Sequence, residues 1–62
     1  MRNSLRVLRA ERALSQADFA ALIGVTRQTA NALEKGRFDP SLQLALRIAR
    51  LFERPVETIF QA

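Results

Sequence analysis

Small hydroxyl residues stand at Ser4, Ser15, Thr26 and Ser41, and behind each the apolar residues recur at helical spacing. A Ser or Thr in that place accepts a hydrogen bond from an orphaned N–H of the first turn, so each marks a helix start. Punctuation closes the same segments. Gly24 and Gly36 fall where helix C-termini favour a left-handed residue, and Asp39-Pro40 turns the chain before Ser41. The spacing predicts five helices. The first runs roughly from Ser4 to Glu11, with Ser4 or Asn3 as its cap. The second begins at Ser15, where Asp18 completes a variant of the capping box, and ends at Gly24. A third runs from Thr26 to about Lys35 and a fourth from Ser41 to about Phe52. Pro55 suits the first turn of a short last helix reaching Ile59 or Phe60. No stretch alternates apolar and polar residues as a half-buried strand does. The expectation is an all-α chain forming one domain over residues 1–62.

The apolar positions predict what each helix buries. Leu5 and Leu8 share a stripe of the first helix with Arg12, and Val7 and Leu14 are expected to close its lower edge. Phe19, Leu22 and Ile23 form the inner face of the second. The third has a thin inner face, Ala30 and Leu33, supplemented by Val25 from the preceding turn. In the fourth, only Gln43, Arg47 and Arg50 interrupt the apolar residues between Leu42 and Phe52. That pattern predicts a central helix buried on most sides.

A chain of 62 residues buries only about 60% of the surface its unfolded form exposes, so reinforcement is expected. With no Cys there are no disulfides, and with no His as well nearly every transition-metal site is excluded. The same two absences remove the thiolate nucleophile and the side chain that titrates near neutrality. An enzyme is not expected, nor a cofactor or metal. A partner chain is the remaining reinforcement.

Nine Arg and one Lys against six acidic residues give a net charge of +4, which favours a polyanionic partner. A hydrophobic fraction of 48% is too high for a disordered basic tail. No apolar run approaches the ~18–20 residues needed to span a bilayer, and none near the N-terminus reads as a signal peptide. A folded, basic, cytoplasmic module is expected.

The outer face of the third helix carries Arg27, Gln28, Asn31 and Lys35, at i, i+1, i+4 and i+8. Two readings stand open for it: a solvated surface, or a face that reads a nucleic-acid groove. The turn Gly24-Val25-Thr26, joining two short helices over residues 15–35, fits helix-turn-helix geometry, in which the second helix enters the major groove.

The pattern S-Q-x-x-x-A-x-x-x-G-V-T-x-x-T, the following L-E-x-G and the later P-S-L-x-x-A-L-x-I-A resemble the Cro/lambda-repressor-like (XRE) helix-turn-helix family, from about Leu5 to Phe60. The resemblance implies a five-helix lambda-repressor-like DNA-binding domain from a bacterium or phage. It would bind double-stranded DNA as a homodimer over a near-palindromic operator and regulate transcription, as a repressor above all. Gln16 then matches the family's phosphate-contacting Gln, an amide beside free helix N-terminal N–H groups. Thr26 matches the recognition-helix cap, with a hydroxyl that either caps alone or also meets the DNA backbone.

Arg27, Gln28 and Ala32 match positions that reach base edges, with Thr29 and Asn31 beside them. Arg can bond bidentately to guanine and Gln to adenine, whereas Ala offers only a methyl to thymine. Arg27 has an alternative use on a phosphate, and Asn31 is open between base contact, phosphate contact and bonding within the protein. Lys35 and Arg37 match phosphate contacts. Arg9 and Glu34 match a structural ion pair of the family.

Two positions depart from the family pattern. Ala30 replaces a β-branched anchor, implying looser seating, and Ala13 replaces a Gly, implying a slightly different turn. Leu51, Phe52, Val56, Ile59 and Phe60 place apolar bulk at the C-terminal end, either as a dimer interface or to close the core. Two other readings remain: an antitoxin-type DNA-binding protein that also engages a toxin, and a helical protein–protein adaptor without DNA binding.

Overall fold

The computed structural model describes residues 1–61. Five helices appear where the start signals place them: α1 (Leu5–Glu11), α2 (Gln16–Ile23), α3 (Arg27–Glu34), α4 (Leu42–Phe52) and α5 (Val56–Ile59). Three of the caps are made by the expected hydroxyls. Ser15 Oγ accepts from the Asp18 N–H at 3.0 Å while Asp18 Oδ2 accepts from the Ser15 N–H at 3.1 Å, closing the capping box. Thr26 and Ser41 accept from the N–H groups of Thr29 and Leu44, each at 3.1 Å. At α1 the neighbour does the work. Ser4 holds the cap position without a side-chain bond, and Asn3 Oδ1 accepts from the Leu5 N–H at 3.1 Å.

Two two-residue strands were not expected. β1 (Arg2–Asn3) pairs antiparallel with β2 (Phe60–Gln61), Arg2 opposite Gln61 and Asn3 opposite Phe60. The Ser4 N–H continues the pairing by donating to Ile59 O at 3.0 Å. The same segment ties into the end of α3. Asn3 Nδ2 donates to Leu33 O at 2.8 Å, and the Met1 amino group to Gly36 O at 3.1 Å. Gly36 is required there twice over: its φ is +71°, and a Cβ would stand 2.7 Å from Met1 O.

The core gathers Leu5, Leu8, Phe19, Ile23, Leu33, Ile48, Phe52 and Ile59 from all five helices. Phe19 and Phe52 meet at 5.7 Å between ring centroids, a tilted aromatic pair at its centre. Ala30 and Leu33 of α3 are buried as expected, with Val25 packed alongside. Arg12 follows the Leu5–Leu8 stripe without being buried. Its guanidinium lies over the Phe52 ring and donates to Phe52 O at 3.1 Å, satisfying the C-terminus of α4.

Several expected core positions are exposed instead. Val7 and Leu22 are 60% and 55% exposed. α4 is not enclosed: Ala45, Ile48 and Phe52 face inward, while Leu42 is 73% exposed and Leu46 also lies on the surface. A domain this small has too little interior to take every apolar residue of an eleven-residue helix, so one stripe faces out. The expected dimer set changes accordingly. Phe52, Ile59 and Phe60 lie in the chain's own core, and Leu51 and Val56 are partly covered against it. The turn after α1 carries backbone strain at Ala13. Its φ of +54° is the left-handed conformation that Gly adopts freely and that strains an Ala.

Candidate nucleic-acid interface

Gly24 ends α2 at φ +75°, and the next two residues redirect the chain so that α3 starts at Arg27. Arg47 Nη1 of α4 closes the C-terminus of α2 by donating to Ile23 O at 2.9 Å. α3 thus rests its Ala30–Leu33 face on the core and turns the opposite face outward. Arg27 and Gln28 are exposed there, with Thr29, Asn31 and Ala32 partly covered. Lys35 and Arg37 follow just beyond the helix, also exposed. Arg27, Lys35 and Arg37 have no carboxylate partner among the described residues, which leaves their charge available to an outside anion.

The structure brings four of the expected residues together. Gln16 at the start of α2 and Arg27, Gln28 and Asn31 on α3 line one open cleft of about 240 Å³. Arg and amide side chains around one cleft can donate to phosphate oxygens and to base edges alike. Thr26 stands apart from the cleft residues. Its hydroxyl caps Thr29 N–H and bonds the Thr29 hydroxyl at 3.1 Å, so those two side chains hold each other.

Behind the cleft, Arg9 and Glu34 pair. Arg9 Nε donates to Glu34 Oε2 at 2.8 Å and Nη2 to Oε1 at 3.2 Å, a bidentate arrangement joining α1 to the end of α3. A third donor, Nη1, reaches Leu14 O at 3.0 Å. The Glu34 side chain is 1% exposed. The hydrogen bond to Glu34 raises the Arg9 pKa above its ordinary value, burial opposes this and the carboxylate charge supports it, so Arg9 stays charged throughout the working pH range.

The ion pair also touches the cleft, which neither spacing nor the family pattern indicates. Gln16 Nε2 donates to Glu34 Oε1 at 3.3 Å, and Asn31 Nδ2 donates to Gln16 Oε1 at 3.5 Å. A sequence signal exists only in retrospect. Asn31 and Glu34 are i and i+3 on α3, hence neighbours on one helical edge, and that edge meets the start of α2.

A helix-turn-helix family model matches residues 5–59. The chain is 54% identical over 61 residues to an uncharacterized HTH-type transcriptional regulator of Methanothermobacter thermautotrophicus, covering 97% of this chain and 88% of that one. It is 50% identical over 60 residues to another of Methanocaldococcus jannaschii, covering 97% and 91%. The regulator YgzD of Bacillus subtilis is 45% identical over 60 residues, with the same coverage. These relatives are archaeal as well as bacterial, so the expected bacterial or phage origin is not singled out. No helix among the described residues is long and apolar enough to cross a membrane. The capped α2–turn–α3 unit, the family match along nearly the whole chain and these relatives agree: the chain belongs to the XRE family of helix-turn-helix transcriptional regulators.

Proposed function

We propose that this protein binds duplex DNA sequence-specifically by laying α3 in the major groove, and that it regulates transcription as a homodimer on a near-palindromic operator, chiefly as a repressor. The observation that carries the reading is the convergence of Gln16, Arg27, Gln28 and Asn31 on one cleft, where Arg27 has no carboxylate partner among the described residues. Arg27 and Gln28 read base edges, with Thr29 and Ala32 beside them. Gln16, Lys35 and Arg37 take phosphates, and Thr26 sets the helix start. One such helix spans few base pairs, so a second copy one DNA turn away, about 34–36 Å, supplies the missing affinity and specificity.

The surface for that second copy centres on exposed Leu42 and Leu46 of α4, with partly covered Val56 beside Leu42. Nothing in this mechanism calls for catalysis or a cofactor, and a cytoplasmic location follows from the DNA-binding role.

Selection from a randomised duplex pool near physiological salt, followed by sequencing of the retained DNA, tests the reading. An enriched inverted repeat is expected, and its half-site spacing reports the dimer geometry. Retention without sequence preference overturns the specific-regulator reading. Retention of nothing favours the protein–protein adaptor.

A further inference from the structure

We infer that Asn31 is a positioning residue for the phosphate clamp and not a base reader: it acts through Gln16, whose side-chain amide is held in one orientation between Asn31 and the Arg9–Glu34 ion pair. The inference rests on the DNA-binding reading above and deepens it. A Gln carboxamide has two faces of opposite hydrogen-bonding character, an NH2 that donates and an oxygen that accepts. Glu34 is a carboxylate with both oxygens already facing Arg9, so only the NH2 of Gln16 can approach it, and it does so at 3.3 Å. Turned the other way, Gln16 would set its oxygen against a buried carboxylate.

At the opposite end the Gln16 oxygen accepts from the Asn31 N–H at 3.5 Å, a long bond. The two restraints agree. They occupy the oxygen and one hydrogen of the amide, leaving the second N–H of Nε2 as its free donor. A phosphate oxygen needs that donor, since an outward Gln16 oxygen would repel it.

A chain of bonds therefore runs from α1 to the groove face: Arg9 to Glu34, Gln16 to Glu34, Asn31 to Gln16. Asn31 sits on the reading helix, yet its amide donor is turned toward the clamp. Its neighbours at the groove, Arg27 and Gln28, are exposed and carry the base contacts, whereas Asn31 is partly covered. Seating of α3 and orientation of the clamp are linked through this one side chain.

The test is a double-mutant cycle of Asn31→Ala and Gln16→Ala on the full chain, probed with a randomised-sequence duplex pool of about 30 base pairs at fixed low salt. Overall affinity and the base profile of the retained DNA are both read, and thermal melting checks that each variant is folded. Losing one neutral hydrogen bond's worth of clamp should cost Asn31→Ala about five-fold in affinity per bound chain. Its base profile should match wild type, and in the Gln16→Ala background the substitution should have no further effect. A profile altered at one base position, or an equal loss in the Gln16→Ala background, overturns the positioning role and makes Asn31 a reader. Wild-type chain that retains no duplex overturns the DNA reading and this role with it, and that failure is visible before any variant is made.

Discussion

Replacing Arg9 by Met should cost this domain about 3–5 kcal/mol, because it strands a carboxylate that cannot reach water. The Glu34 side chain is 1% exposed and takes two of its three hydrogen bonds from Arg9, at 2.8 and 3.2 Å; only the weaker Gln16 contact at 3.3 Å would remain. The Leu14 carbonyl loses its guanidinium donor as well. Against this stands a total stability of roughly 3–9 kcal/mol for 62 residues, at 0.05–0.15 kcal/mol each. Thermal or urea unfolding followed by circular dichroism reads the loss. At about 4–8 °C per kcal/mol for a domain of this size, Tm should fall by at least about 12 °C, and at the upper end the variant is largely unfolded at 25 °C. The companion Arg9→Met/Glu34→Leu removes both charges and fills their space with apolar atoms, and it should return to within about 1 kcal/mol of wild type. A single variant that loses less than about 1 kcal/mol, or a double variant no more stable than the single, would refute the stranded-charge argument.

Other consequences lie in the backbone and the caps. Ala13 is exposed and held at φ +54°, a conformation costing a residue with a Cβ about 1–2 kcal/mol; Ala13→Gly should therefore raise stability by roughly 0.5–1 kcal/mol after the added freedom of the unfolded chain, read as a higher urea midpoint. Gly36→Ala should do the opposite. Strain at φ +71° and a Cβ 2.7 Å from Met1 O force the backbone apart, so a loss of about 2 kcal/mol or more is expected in melting. Asp18 has its pKa lowered by the side-chain and backbone bonds of Ser15. A depressed carboxylate contributes stability above its unfolded value, about pH 3.9, and loses it as pH falls through the folded value. Asp18→Asn should thus melt below wild type at pH 6, with the gap closing under about pH 4; a gap independent of pH would assign the cap to shape and not charge.

How much of this was legible in the sequence depended on the distance along the chain over which each feature is decided. Caps at Ser15, Thr26 and Ser41 bond three residues ahead, so residue type and spacing are the whole cause, and the helices start where those signals stand. The β1–β2 pair joins the two ends of the chain through two residues per strand, too short for any alternation to register. Helix α4 misled for a different reason. Apolar residues at Leu42 and Leu46 indicate which positions could be buried, but the interior available to a 62-residue chain sets how many are. Arg9 and Glu34 lie 25 residues apart, and only the family pattern suggested pairing them. The bond from Gln16 to Glu34 was invisible to both, since it depends on how α2 and α3 cross.

That last bond bears on what the charge does at this place. As far as stability goes, a buried Arg–Glu pair is often matched by well-packed apolar residues, so folding alone gives little reason for it. Leucine at position 34 would accept nothing from Gln16, however, and the long Asn31 bond alone would be left to orient the amide. The Arg9→Met/Glu34→Leu chain separates the two roles. It should melt near wild type yet bind the randomised duplex pool about five-fold more weakly, with an unchanged base profile, because the clamp has lost one of its two restraints while Arg27 and Gln28 have not moved. Wild-type affinity in that folded double variant would show that the ion pair serves the fold only, and that Gln16 meets the phosphate without its help.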